Sequence, residues 1–296
     1  MLGKLLPILL LLVLPLLVSA QRERVERTFK DTRAVNVHSP ETLPNRKLDV
    51  RISHRFGDMF GDNGGWPTFY GLEQATDVAI GAEYGLTNDI TVGFYRSKGS
   101  GTTPEGDTGL RQLLNGLVKY RMLAQTVDGQ VPLTATFVAT GSMSTSTKIE
   151  GSNDLVRSFP KFAHRLAYNL QVVVARKFGD RVSLEVIPGY THRNLVPFAG
   201  ENGIFSLGGA ARFQATKRLG LIADVTFPVG SLQSRASGYY PALGVGFEID
   251  TGGHVFQLNL TNAQGIVETD FIPYTTTNWL DGEFRMGFTI SRWFNL

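Results

Sequence analysis

The sequence predicts an all-β protein, a transmembrane antiparallel up-and-down β-barrel of about 12 strands, and three observations predict it. Apolar and polar residues alternate with period two along nearly the whole chain after residue 46, the pattern of strands with one apolar face. The links between these stretches alternate short and long, which sends every short turn, and both ends of the barrel, to one side. The apolar face carries almost no charge: its titratable members are Arg292, His54 and His164, all near strand ends. A soluble barrel would turn that face inward, whereas a membrane barrel turns it to lipid.

Strands are expected near residues 47–56, 75–85, 88–97, 111–124, 131–141, 162–177, 181–192, 203–215, 219–228, 239–250, 254–262 and 281–296. The clearest is Ala242 to Asp250. Leu243, Val245, Phe247 and Ile249 share one face, and Gly244, Gly246, Glu248 and Asp250 share the other. The stretch 111–124 fits least well, because Leu113, Leu117 and Leu123 fall on what should be its polar face. Pro188 cannot donate to a ladder and, with Gly189, predicts a bulge. Short turns are expected at Leu86-Thr87, Gln125 to Gln130, Phe178 to Asp180, Thr216 to Arg218 and Thr251 to Gly253. Phe56, Phe94, Phe162, Tyr190, Phe205, Phe227 and Phe284 then fall towards the long-loop side. Tyr84, Phe213, Phe256 and Phe294 fall towards the short-turn side, completing two aromatic girdles. No amphipathic helix is expected in the mature chain.

The ends of the chain read differently. Lys4, the apolar run Leu5 to Leu17 and the small residues Val18-Ser19-Ala20 form a secretory signal, so residues 1–20 are expected to be cleaved after Ala20. Residues 21–46 form a separate piece that begins with a dense mixture of Arg22, Glu23, Arg24, Glu26 and Arg27. It fits either a solvated periplasmic extension or an arm in the lumen, the latter on the alternation Phe29, Asp31, Arg33, Val35, Val37. An arm would give partners to Leu117, Val173, Ile187 and Ile222, apolar residues on the inward face. The barrel itself is expected over 47–296. On its last strand Phe288, Ile290, Phe294 and Leu296 form an apolar row. That row resembles the terminal strand read by the outer-membrane barrel-assembly machinery.

Composition excludes several alternatives. Charged residues are 19% of the 296, below the roughly 25% of soluble domains, while 42% are hydrophobic, too many for a disordered chain. Zero Cys excludes a disulfide scaffold and any Cys-ligated metal. A net charge of +3 is too small for a nucleic-acid binder that relies on a basic field.

One region is more particular. His54-Arg55-Phe56-Gly57-Asp58 closes the first strand. Phe69 to Asp77 (FYGLEQATD) leads into Val78 to Asn88 (VAIGAEYGLTN), and Val92 to Ser97 (VGFYRS) follows. This region resembles a family of Gram-negative outer-membrane barrels catalogued as domain of unknown function 5777. The resemblance implies an outer-membrane barrel and carries no catalytic residue.

The candidate chemistry is sparse. His38, His54, His164, His192 and His254 show no metal-ligand spacing, and no cofactor is expected. His164, His192 and the tract Ser142 to Thr147 supply the types needed for a Ser/His site, which is a spatial arrangement that spacing does not reveal. The inward positions carry basic Arg51, Arg55, Lys119, Arg121, Arg193, Arg212 and Arg285. They also carry acidic Asp49, Asp77, Glu83, Glu185, Asp224, Glu248, Asp250 and Glu283. The signs nearly cancel, so ion pairs across the lumen are expected, not a ring of one sign. The resulting expectation is a monomeric passive pore or small-solute transporter bathed in outer-membrane lipid. A closed structural or binding barrel whose outer loops contact a partner is the alternative, and a barrel hydrolase the third.

Overall fold

The computed structural model describes residues 23–100, 110–152, 158–196, 200–230 and 238–296. The expected signal segment lies outside the described residues. Twelve strands follow one another in chain order: β1 (Lys47–Phe56), β2 (Ala75–Gly85), β3 (Ile90–Ser100), β4 (Leu110–Leu123), β5 (Thr134–Ser144), β6 (Leu166–Phe178), β7 (Val182–Arg193), β8 (Gly203–Gln214), β9 (Leu219–Val229), β10 (Ala242–Asp250), β11 (His254–Thr261) and β12 (Arg285–Asn295). Each pairs antiparallel with its chain neighbours, and β1 pairs with β12 from Lys47↔Asn295 to Arg55↔Gly287, so the sheet closes into a barrel without an edge. Closure satisfies every ladder internally, which a sheet in hydrocarbon requires.

Alternation decides which face is which. On β10, Val245, Phe247 and Ile249 point out and are exposed, while Gly244 and Glu248 are directed inward. The same holds for Leu184 and Val186 on β7, and for Leu258 and Phe256 on β11, against buried Glu185 and Gln257. The outward belt is apolar and the interior mixed, as the sequence pattern implies for a barrel in lipid, but Arg96 of β3 and Arg176 of β6 also face outward near strand ends, beyond the Arg292, His54 and His164 expected on that face.

Several boundaries move for identifiable reasons. β6 and β12 begin four residues later than expected because Phe162–Arg165 and Trp279–Asp281 form single 3-10 turns. β5 begins at Thr134 because the preceding link does other work: Val25 N donates to the Gln125 carbonyl and Val127 N to that of Glu23. The bulge expected at Pro188 is not formed. Pairing of β6 with β7 lapses at Pro188 but resumes in the same register, with Gln171↔Gly189 on one side and Val174↔Val186 on the other. Register shifts occur instead at Arg55/Phe56 and at Arg121/Leu123. One helix was not expected, α1 (Glu268–Tyr274), in the β11–β12 loop. All seven of its residues are buried, so it shows no amphipathic period.

The interior is occupied. Phe29, Ala34 and Val37 from the N-terminal segment meet Phe271 and Ile272 of α1. Leu117, Val138, Val173 and Ile187 of the wall complete one apolar cluster around them. Leu117, the misfit of β4, packs there with 4% of its surface exposed.

Candidate functional site

The site is the lumen and the two segments that fill it. From the short-turn end, residues 23–46 rise as an arm and double back on themselves. Ala34 N donates to the Val37 carbonyl (2.9 Å) and Ser39 N to that of Thr32 (3.0 Å). From the long-loop end, residues 262–284 descend with α1. The two meet where Arg33 donates to Glu268 (2.9 Å), with the His38 ring 3.3 Å from the same carboxylate.

The wall holds the arm by its backbone as much as by its side chains. Lys119 Nζ on β4 donates to three arm carbonyls: Thr32 (2.7 Å), Ser39 (3.0 Å) and Glu41 (3.1 Å). Arg51 on β1 pairs with Asp31 of the arm (2.9 Å) and with Asp49 two residues away. Asp224 on β9 accepts from the Asn36 and Val37 backbone amides and from Asn36 Nδ2 (2.7 Å). Arg55 donates to Asn36 Oδ1 (2.8 Å) and also to the Ala263 and Gly265 carbonyls of the loop, so it touches both segments. At Gly244 the wall comes close to the arm: a Cβ there would lie 2.5 Å from Val35 Cγ1 and 2.7 Å from Asn36 Nδ2.

The remaining candidate charges sort as follows. Glu83 accepts from Tyr95 and from Thr32 of the arm, and Asp77 accepts from Ile266 N of the loop (2.8 Å). Arg193 stacks on the Tyr274 ring at 4.7 Å. Asp250, half-buried at the rim, lies 3.7 Å from Lys30. Arg212 and Glu248 pair with each other across β9. Arg285 reaches Thr76, and Glu283, in the loop just before β12, accepts from Asn278 N. Glu185 is buried with neither carboxylate oxygen hydrogen-bonded. Cross-lumen pairing is therefore the minority case, because most of these charges spend their hydrogen bonds on the arm or the loop. The expectation paired charges of one wall with those of another, whereas the nearest partners lie on chain inside the lumen.

At the short-turn rim the arm is tied by charge. Asp89, in the β2–β3 turn, accepts from Arg24 (2.7 Å) and from Arg121 (2.9 Å). Burial pushes its carboxyl up, but the two guanidiniums outweigh this and hold it below the usual aspartate range. Arg27 lies over the Trp293 ring at 4.2 Å.

The pieces of a Ser/His site do not converge. Ser142 shares a hydrogen bond with Thr269 of α1 (2.8 Å), His192 with Asn194 (3.1 Å), and His164 Nδ1 accepts from Lys161 N (3.3 Å). Phe288 and Ile290 of the terminal row face outward, with Phe288 stacked on His54 at 5.4 Å, and Phe294 and Leu296 lie exposed at the short-turn end. Sequence reasoning missed Asp31, Asn36, His38, Glu41 and Glu268. The inward Leu117, Val173, Ile187 and Ile222, with the alternation of residues 29–37, signalled that something packs against the wall.

Between arm, loop and wall, the space bordered by Arg33, Arg51, Tyr95, Leu117 and Ile266 measures about 20 Å³, and that bordered by Val35, Arg55, Asn259 and Thr289 about 10 Å³. Such volumes hold on the order of one water each.

A closed twelve-stranded barrel, apolar outside and filled inside by its own chain, defines a plugged outer-membrane β-barrel. The chain belongs to the membrane-bound beta barrel domain family DUF5777, whose model matches residues 29–294. That span includes most of the arm as well as the barrel. No curated protein matches the chain. Among solved structures, the NanC porin is 10% identical with a TM-score of 0.49, over 84% of this chain and 100% of that one. An outer-membrane channel from Pseudomonas putida F1 is 13% identical with a TM-score of 0.49, over 86% and 97%. Outer membrane phospholipase A from Escherichia coli is 10% identical with a TM-score of 0.44, over 83% and 92%. Likenesses this distant say nothing about activity.

Proposed function

We propose that the protein is an outer-membrane transport barrel held shut at rest by its own arm, with a small solute passing only when the arm leaves the lumen. The observation that carries this is Lys119, a buried cation on the wall whose three donors are spent on carbonyls of a segment joined to the barrel at one end. Withdrawing the arm would return Phe29, Val35, Val37 and Leu43 to water, at about 1.5–3 kcal/mol each. The sum is on the order of 6–12 kcal/mol, beyond the ~5.5 kcal/mol that already shifts an equilibrium about 10⁴-fold. Free diffusion through the resting barrel is therefore negligible, and opening takes work from a partner or a load on the arm. The charges that grip the arm would then line the conduit, with both signs present and weak ion selectivity as the result.

Planar-bilayer conductance tests this. The full-length protein should be silent. Deletion of residues 23–43 should give a steady conductance in a protein that still shows heat-modifiable mobility. Gly244→Leu, which crowds Val35 without touching the lipid face, should give intermittent openings. Steady conductance from the full-length protein would overturn the proposal.

A second reading, a closed scaffold whose outer loops contact a partner, is favoured by one cluster. Phe60, Trp66, Phe69 and Tyr70 in the β1–β2 loop, with Trp279 and Phe284, form a chain of ring contacts at 4.6–6.4 Å. Trp66 is 71% exposed. Phe69 and Tyr70 hold φ of 47° and 56°, which non-glycine residues adopt only where surroundings impose it. A folded but silent arm-deleted barrel would favour this second reading.

A further inference from the structure

The outer surface has one groove that the belt of apolar side chains does not fill. It lies between β6, β7 and the start of β5, at the short-turn end, with a volume of about 250 Å³. Leu133, Val174, Phe178, Leu184 and Val186 line it, Arg176 stands among them, and Glu185, whose side chain is buried on the lumen side, also borders it. This is outward-facing surface near the short-turn rim, with Arg176 two residues before the end of β6.

Arg176 is the informative residue. Its guanidinium lies over the Phe178 ring, 5.2 Å from the centroid, and makes no hydrogen bond or ion pair among the described residues. The ring holds its plane while leaving the N–H edges free. A guanidinium with unspent donors beside an apolar slot matches a phosphodiester attached to an acyl chain. Arg176, Lys177 and Arg181 stand at this turn against Asp180, and the one acidic residue bordering the groove, Glu185, is buried on the lumen side, so the outward charge is basic. The structure supplies its own control. Arg292 on β12 also lies over a ring two residues on, Phe294 at 4.9 Å, at the same end of the barrel. An arginine that merely reaches for the interface looks like this. What distinguishes Arg176 is the groove.

We infer that this groove is a binding site for one anionic phospholipid of the periplasmic leaflet, its phosphate on Arg176 and an acyl chain along Val174, Leu184 and Val186. The site is separate from the lumen, and the inference stands whether or not the arm gates transport.

Native mass spectrometry of the detergent-purified barrel, titrated with phosphatidylglycerol or phosphatidylethanolamine, tests this. The wild type should retain one phosphatidylglycerol in preference to phosphatidylethanolamine. Arg176→Ala should weaken retention at least about tenfold, the scale of a lost charge-assisted hydrogen bond. Val174→Phe, which fills the slot and keeps the charge, should weaken it similarly, and Arg292→Ala should leave it unchanged. Heat-modifiable mobility reports that each variant is folded. Equal retention of the two lipids, or equal loss in Arg176→Ala and Arg292→Ala, would overturn the proposal.

Discussion

On β5, Thr136 and Thr140 point the same way, into the lumen, and both are buried. Thr136 donates to the Pro40 carbonyl of the arm (2.6 Å), while the Thr140 hydroxyl has no partner. Across the same wall, Val245, Phe247 and Ile80 face lipid and are alike in being exposed apolar side chains. Away from the groove at Arg176, the outer face is thus generic, because any apolar side chain serves a fluid solvent. The inner face is particular, because it is fitted to one segment of chain. Substitutions should therefore be judged by chemistry outside and by partner inside.

The largest effect is expected where the arm's apolar anchor is removed. Phe29 is fully buried in the central cluster, and Phe29→Ala should cost about 3–5 kcal/mol of arm docking or barrel stability. Urea unfolding followed by gel mobility measures it. A cost below about 1 kcal/mol, under the range for a buried Phe, would mean that the cluster is not packed as described. Next comes the lipid face: Val245→Arg should cost roughly 2–4 kcal/mol near the bilayer midplane, with no effect on arm protection. A variant that releases the arm instead would break the separation between the two faces. The threonine pair sharpens the inner rule. Thr136→Val strands a buried carbonyl and should cost about 1–3 kcal/mol, whereas Thr140→Val should be near neutral. Equal costs for the two would show that the arm does not reach β5.

The smallest effect is expected at the rim. The carboxyl of Asp89 is held below its usual range, so its tie to Arg24 of the arm and Arg121 of the wall is complete above the unfolded value of ~3.9. It is lost as pH falls through the lower folded value. Amide exchange of residues 23–27 should therefore quicken only in strong acid, and Asp89→Asn should remove that dependence. An unchanged acid profile in Asp89→Asn would assign the tie to another group.

The outer face was legible in the sequence, and most of the inner one was not. β1 and β2 can be bounded to the residue because strict alternation leaves no other register compatible with a lipid-facing set. The inward charges can be assigned to the lumen by the same parity. Their partners cannot, since Asp31, Asn36 and Glu41 sit on a segment whose alternation reads alike whether it is solvated or enclosed. α1 is invisible for the opposite reason: a helix buried on all sides has no polar face to mark its turn. Leu117, Val173, Ile187 and Ile222, apolar on the inward face, were the residues whose misfit pointed to the arm.

Residues 28–43 reside in the lumen, and the absence of Cys from the sequence makes their location directly measurable. Single cysteines introduced by Glu23→Cys and Ser39→Cys can be tested with a water-soluble maleimide on folded barrel in vesicles open to the periplasmic side. Glu23 is exposed at the rim, and Ser39 is fully buried beside Lys119. The Glu23→Cys variant should label within minutes, and Ser39→Cys should stay unlabelled until the barrel is denatured. Equal labelling of both in the folded protein would contradict a lumen filled by the arm.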